Sequence, residues 1–306
     1  MAESPNYSLR QIYSFLEIAR EGSVSRAAER LHVTQPAVSM QLRQLEDAFG
    51  VALTEPHGRN IRLTAAGRDF VDYAIKVRGT LKDLEAAMAA HVGLEHGRLD
   101  LAVVSTAKYF VPMLLIRFGE LHPGIEVALK VDNREKVVGL LARNEVDMVV
   151  MGRAPEGLDC RAKPFATNPL GILAAPGHPL AKRRRMRFEA LADHEFLVRE
   201  EGSGTRAAMQ RLFAQHGASI KVKMELPSNE TIKQAVMAGM GLCFLSLRTV
   251  RQELASGHLV VLNVPGLPVV GNWYLTYLES KKLSPAAKAF ESFLTEQGAE
   301  LVDAWA

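Results

Sequence analysis

Gln35, Ser39 and Arg43 recur every four residues, a spacing that lines hydrogen-bonding side chains along one face of a helix. An exposed row of amide, hydroxyl and guanidinium groups is what reading base edges in a major groove requires. A second set of residues is spread over separate places: Ser105-Thr106, Ser203-Gly204-Thr205-Arg206 and Ser228-Asn229-Glu230-Thr231. Each follows an apolar, strand-like run and opens a helical one. A helix N-terminus offers unpaired N–H groups and positive dipole, so such junctions, converging between lobes, hold a carboxylate or phosphate. Taken singly, each junction also reads as an ordinary N-cap. The recurrence favours a shared ligand for Ser105, Thr106 and Thr205, with Ser203, Arg206, Asn229 and Thr231 completing the candidate set. Glu200 and Glu201 partly offset Arg206, which argues against a highly charged ligand.

Catalytic and metal chemistry find no comparable pattern. Gly239-Met240-Gly241 lacks a third glycine at dinucleotide-fold spacing and precedes a strand-like run. Gly202-Ser203-Gly204 is not a nucleophile elbow, which needs a residue between the serine and each glycine. His194-Glu195 has no second histidine four residues on, and no Cys/His cluster has zinc spacing. Cys160 and Cys243 lie far apart in apolar surroundings and are expected to be buried free thiols. The run Lys182-Arg183-Arg184-Arg185 reads as a solvated loop.

The elements that must position these residues follow from the pattern. Ser8-Leu9-Arg10-Gln11 fits a capping box, and Leu9, Ile12, Leu16 and Ala19 form an apolar face that stops at Glu21-Gly22. Ser23 caps a short second helix whose inner side is Ala27, Ala28 and Leu31. Thr34 caps a third, with Pro36 in the first turn, where a missing N–H costs nothing, and with Val38, Leu42, Leu45 and Phe49 as its buried stripe. Val51-Ala52-Leu53 and Asn60 to Leu63 are expected as strands of a hairpin wing. Thr64 then caps a long helix in which Phe70, Ala74, Val77, Leu81, Leu84 and Met88 are spaced four, three, four, three, four. This is a heptad seam, and it favours homodimerisation over packing on the same chain. His91 to Gly97 reads as a hinge. Beyond it, strands at 99–104, 125–131 and 147–151 alternate with helices, and a similar alternation returns at 196–246, implying two α/β lobes. Trp273 to Leu278 and the helix from Ser284 to Gln297 return the chain to the first lobe.

A net charge of +3 is too small to identify a nucleic-acid binder. From Met1 to Thr64 the basic residues Arg10, Arg20, Arg26, Arg30, Arg43, Arg59 and Arg62 are matched by Glu3, Glu17, Glu21, Glu29, Glu46, Asp47 and Glu55. DNA binding therefore rests on placement, not on total charge. Neither a bilayer-spanning apolar run nor a signal-peptide layout is present in the sequence, so a cytoplasmic protein is expected.

The stretch from Phe15 through Gly22-Ser23-Val24-Ser25-Arg26-Ala27-Ala28-Glu29-Arg30-Leu31, then Thr34-Gln35-Pro36-Ala37-Val38-Ser39, Leu45-Glu46, Gly50, Leu63-Thr64 and Gly67 resembles the N-terminal signature of LysR-type transcriptional regulators. The resemblance implies a winged helix-turn-helix over 1–64, a linker helix over 65–91 that dimerises the chain, and an effector-binding domain over 92–306. That domain would be two Rossmann-like α/β subdomains similar to periplasmic binding proteins, one of 92–166 plus 269–306 and one of 167–268. It further implies no catalysis, homotetramers, double-stranded DNA with an interrupted dyad at a promoter, RNA polymerase as a partner, and a small-molecule effector (a phosphorylated metabolite, nucleotide or carboxylate) in place of a cofactor. By the same likeness Gln35, Pro36 and Ser39 meet base edges, Arg43 reaches bases or phosphates, and Ser25, Arg26, Arg59 and Arg62 complete the DNA-facing set. Many members carry Phe-x-Arg near the wing where this chain has Thr54-Glu55-Pro56, so an arginine expected there is absent. A narrower likeness, in Arg199 to Arg206 and Ser228 to Gly241, is to the subgroup that activates Calvin-cycle (Rubisco) operons. Two other classes compete: a solute-binding protein, which leaves the first ninety residues without a purpose, and a cytosolic enzyme acting on an anionic metabolite, which lacks a set of nucleophile, base and orienting group.

Overall fold

The computed structural model describes residues 6–58, 60–92, 97–183 and 186–305, and the chain divides into two compact units, Met1–Glu85 and Ala86–Ala306. In the first unit, helices α1 (Leu9–Glu21), α2 (Val24–Leu31) and α3 (Gln35–Phe49) are followed by the hairpin β1 (Thr54–His57) and β2 (Asn60–Leu63), and by the start of α4 (Ala65–Val92). Both bonds of the capping box at Ser8 and Gln11 are formed, and Gly22, in the left-handed region, ends α1. Phe15, Ile18, Ala27, Ala28, Val38, Leu42, Leu45 and Leu53 make the core. The small side chains of Ala27 and Ala28 let α2 approach α1 and α3, and each large apolar side chain buried there contributes about 1.5–3 kcal/mol.

Three local expectations are corrected. Thr34 makes no side-chain cap bond, so α3 begins on backbone geometry and Pro36 alone. Phe49 is 44% exposed, although its ring lies 4.8 Å from that of Tyr7 and 5.3 Å from that of Phe70. The first wing strand is Thr54–His57, not 51–53, and it pairs antiparallel with Asn60–Leu63. Glu46 causes the shift: its Oε1 accepts from the N–H of Leu53 at 2.8 Å and of Thr54 at 3.1 Å, which draws residue 53 onto α3 and into the core. Arg59 lies outside the described residues.

Gly67, at the start of α4, sits where an added Cβ would stand 2.0 Å from the Leu53 carbonyl oxygen. Gly67→Ala should therefore cost about 2–4 kcal/mol, because backbone cannot yield as a side chain can. Urea denaturation of the full chain checks this, and an unchanged midpoint would contradict the close approach.

The heptad stripe of α4 divides. Phe70 packs edge-on against Phe15 at 5.1 Å, and Ala74 is buried among Ile12, Leu16 and Ile75, so these first two positions serve their own chain. Val77, Leu84 and Met88 are exposed and Leu81 is half-buried. The expected seam is shortened to these four.

The second unit contains β3 (Gly97–Val104), α5 (Val111–Leu121), β4 (Ile125–Asp132), α6 (Arg134–Ala142), β5 (Met148–Met151), β6 (Cys160–Ala174), β7 (Glu195–Arg199), α7 (Gly204–Gln215), β8 (Lys221–Leu226), α8 (Asn229–Met237), β9 (Leu242–Ser246), α9 (Arg251–Ala255), β10 (Val260–Val261), β11 (Val269–Leu278) and α10 (Pro285–Trp305). The strand order is β4-β3-β5-β11-β6-β9-β7-β8, with β10 paired to β6. Parallel trios β4-β3-β5 and β9-β7-β8 each form the sheet of one lobe. Met148–Met151 and Leu242–Ser246 are buried throughout, as strands covered on both faces must be. Between the trios run β6 and β11, antiparallel and paired from Cys160↔Leu278 to Leu170↔Val269. These two strands carry the chain from lobe to lobe.

No element is expected between 152 and 195 from the sequence pattern, yet β6 is the longest strand. Pro164, Pro169 and Gly171 interrupt its alternation, and its burial changes from alternating to continuous along its length. Cys243 is fully buried, which pushes its thiol pKa up, whereas Cys160 is only half-buried. No helix among the described residues is long and apolar enough to cross a membrane.

Candidate functional site

A cavity of about 580 Å³ opens between the lobes of the second unit. Ser105 and Thr106 reach it from the end of β3, and Ser203 and Thr205 from the start of α7. Four of the sequence-derived ligand residues are thus brought together. Ser203 makes no side-chain cap bond, so the first-turn N–H groups of α7 and the hydroxyls beside them are available to a ligand. The β3 junction differs from expectation. A short 3-10 turn, Ala107–Tyr109, intervenes and α5 starts only at Val111, so Ser105 and Thr106 contribute hydroxyls without a helix N-terminus behind them.

The other three candidates stand off the cavity. Arg206 donates to the carboxylate of Glu225 and to the Arg199 carbonyl at 3.1 Å, facing the outer strand β8. Asn229 is buried with its oxygen on Arg199, where it orients that guanidinium. Thr231 is exposed, and its N–H is capped by the Ser228 hydroxyl, so the ordinary N-cap explanation holds at that junction.

The sequence pattern missed the cations. Arg134 at the start of α6, Arg153 after β5, Arg199 at the end of β7 and Arg211 on α7 all line the cavity, with Glu156 the one carboxylate among its lining residues. Arg199 is consumed: it is 2% exposed, paired with Glu200 at 2.7 Å, and its Nη2 donates to the Ser105 hydroxyl at 3.1 Å across the lobes. Arg153 is shared with Glu156 at 2.5 Å. Arg134 binds only the Ala154 carbonyl at 3.1 Å and the Met151 sulfur at 3.5 Å, and Arg211 has no hydrogen bond or ion pair among the described residues. Burial and then the neighbouring Arg153 hold the guanidinium pKa values of Arg134 and Arg211 below the ordinary value. Glu200 and Glu201 answer Arg199 and Arg206, not the trio Arg134, Arg153 and Arg211, which faces Glu156 alone among the lining carboxylates. One signal was present: Thr205, Ala208 and Arg211 recur at three residues, a single face of α7, and all line the cavity.

In the first unit, Gln35, Pro36 and Arg43 are exposed on α3 and Ser39 is half-buried, with Gln35 Nε2 donating to the Ser39 hydroxyl at 3.0 Å. Ser25 is exposed at the start of α2. Arg26 is held by Glu21 at 3.7 Å and Arg62 by Glu55 at 2.6 Å. Glu55, which stands in the departure from the family pattern, thus neutralises a wing arginine.

Residues 9–68 match the family described as bacterial regulatory helix-turn-helix protein, lysR family, and residues 93–299 match the LysR substrate binding domain. A RuBisCO operon transcriptional regulator from Allochromatium vinosum is 45% identical over 294 residues, 96% of this chain and 97% of that protein. The HTH-type transcriptional activator CmpR of Synechocystis is 42% identical, over 94% of this chain and 95% of its own. The regulatory domain of Synechocystis CcmR, solved in complex with 2-PG, is similar with a TM-score of 0.63 and 43% identity, covering 66% of this chain and 97% of that domain. A full-length OxyR variant from Pseudomonas aeruginosa shares the fold at a TM-score of 0.72 and 23% identity, over 96% of each chain. These relatives are regulators, which sets aside the enzyme and solute-carrier alternatives. The chain belongs to the LysR family of DNA-binding transcriptional regulators.

Proposed function

We propose that this regulator controls carbon-fixation genes in response to a small phosphate-bearing carboxylate held between its lobes. The arginine trio at one end of the cavity carries the proposal: Arg134, Arg153 and Arg211, opposed by Glu156 alone, outnumber the charge of a simple carboxylate and suit a phosphate dianion bound through charge-assisted bonds. Ser105, Thr106, Ser203, Thr205 and the open N-terminus of α7 supply donors for a second anionic group. Support comes from CcmR, whose domain was solved with 2-PG, and from relatives named for the RuBisCO operon. The test is thermal denaturation with 2-phosphoglycolate, glycolate and inorganic phosphate separately. A ligand of the native state raises the midpoint by mass action, so 2-phosphoglycolate should raise it most. Equal shifts with glycolate would remove the phosphate from the proposal.

Residues 1–64 act in this scheme as the DNA module, 65–91 as the dimerising linker and 92–306 as the sensor. Dimers pair into tetramers on an interrupted dyad, where the regulator meets RNA polymerase. Gln35, Pro36, Ser39 and Arg43 face the bases from α3. Gln35→Ala should weaken cognate binding by about 1–3 kcal/mol while sparing non-specific binding. Gel retardation on cognate and random DNA measures the ratio, and an unchanged ratio would remove Gln35 from the groove.

A further inference from the structure

Asn168 lies on β6, one of the two strands that carry the chain between the lobes, and pairs with Gly271 on β11. It lines the inter-lobe cavity beside Gly152 and Trp273. Only 6% of the residue is exposed, and an amide so buried is ordinarily matched at both of its ends.

The two ends of this one differ. Its oxygen accepts the Ser246 hydroxyl at 2.7 Å, a bond to the last residue of β9 in the second lobe, and Ser246 is itself buried. That bond sets which way the amide is turned. Its nitrogen carries two N–H donors and has no hydrogen-bond partner among the described residues. Trp273 on β11 also has an unmatched N–H, but that nitrogen is sealed inside the protein, whereas the Asn168 nitrogen keeps open surface in a residue that lines the cavity. Gly152, which follows β5 in the first lobe, helps to leave it open. A Cβ there would stand 3.2 Å from Asn168 Nδ2, closer than ordinary contact, and Gly152 does not adopt the left-handed backbone that would require glycine for another reason.

Donors held in a fixed direction and almost enclosed cost free energy until an acceptor meets them. Arg134, Arg153 and Arg211 draw anions into the same cavity, and an anionic oxygen accepts without bringing a proton of its own against the amide. We infer that Asn168 is a ligand-contacting residue of this cavity, its Nδ2 donating to an anionic oxygen of the effector from the strand that joins the lobes. The inference rests on the reading of the cavity as the site of a phosphate-bearing carboxylate. With its oxygen anchored in one lobe and its nitrogen against the other, Asn168 holds the bound oxygen where the lobes meet.

Calorimetric titration of the full chain with 2-phosphoglycolate, and thermal denaturation without it, test the assignment in three variants. Asn168→Ala should raise the Kd by about tenfold or more, the loss of a hydrogen bond to a charged group. Ser246→Ala breaks the same internal bond but leaves the nitrogen in place, so it should lower the midpoint comparably and raise the Kd by less than about threefold. Gly152→Ala removes no polar group and crowds the nitrogen, and it should raise the Kd by about threefold or more. This variant decides the matter if Asn168→Ala fails to fold. The inference is overturned if Asn168→Ala and Gly152→Ala bind as tightly as the unaltered protein, which would leave ordered water on the nitrogen, or if Ser246→Ala raises the Kd as far as Asn168→Ala, which would make the amide structural. Its failure is separable from that of the effector reading. Affinity lost in Asn168→Ala but kept in Arg211→Met would remove the arginine trio and leave Asn168 in place, and the reverse would remove Asn168 alone. A protein that does not bind 2-phosphoglycolate at all would overturn both.

Discussion

Arg211→Met should raise the Kd for 2-phosphoglycolate by about 10–100-fold, the loss of one charge-assisted contact, and at the same time make the unliganded protein more stable. The two signs together are the diagnostic. Arg211 has no ion pair among the described residues, and it sits near Arg153, which with burial depresses its pKa. A structural arginine would lower stability on removal, whereas one kept under repulsion for a ligand's sake lowers it by its presence. Calorimetric titration and thermal denaturation of the same variant read both quantities. Retardation of promoter DNA by the unliganded variant should persist, since the substitution lies within the second unit. Lower stability with unchanged affinity would make Arg211 an ordinary structural residue and leave the trio without a ligand.

Leu84→Asp should weaken the dimer by about a hundredfold or more, because a symmetric seam would bury two carboxylates with no counter-charge at several kcal/mol per ion. Leu84 is 55% exposed on α4, with Val77 and Met88 exposed on the same heptad stripe. Ala74→Asp gives the contrasting result: Ala74 is buried against Ile12 and Leu16, so a charge there should unfold the first unit instead of separating subunits. Light scattering and circular dichroism distinguish these outcomes. An unchanged oligomer in a folded Leu84→Asp protein would remove the seam.

The difference between Leu84 and Ala74 shows what the pattern could and could not reveal. A heptad spacing marks which residues need cover, and it is silent on whether the cover is a partner or the same chain. Phe70 and Ala74 follow the period as well as Leu84 does, yet long-range packing against Phe15, Ile12 and Leu16 claims them. Local chemistry was legible where it is local: the Ser8 and Gln11 capping box, the exposed Gln35 and Arg43 on α3, with Ser39 half-buried between them, and the strands of both parallel trios. The strand β6 was not, because Pro164 and Pro169 break its period and its partner β11 is about a hundred residues away in the chain.

In the cavity, hydroxyls that follow strands announced themselves by position, but arginines do not. Arg134, Arg153 and Arg211 lie on separate elements and read singly as solvated surface, so only the fold gathers them. Arg206 shows the converse. Adjacent residues on a helix point about 100° apart, so if Thr205 faces the cavity, its neighbour must turn elsewhere, and Arg206 pairs with Glu225.

The central claim is that occupancy of the inter-lobe cavity governs how the regulator sits on DNA. Allosteric response requires that the ligand bind two conformations unequally, so the most direct measurement is a nuclease footprint of the full-length protein on its own upstream DNA, with and without saturating 2-phosphoglycolate. The ligand should change the length or the hypersensitive positions of the footprint, and the change should disappear in Arg211→Met at a concentration that saturates only the unaltered protein. A footprint that stays identical while calorimetry shows the ligand bound would contradict it.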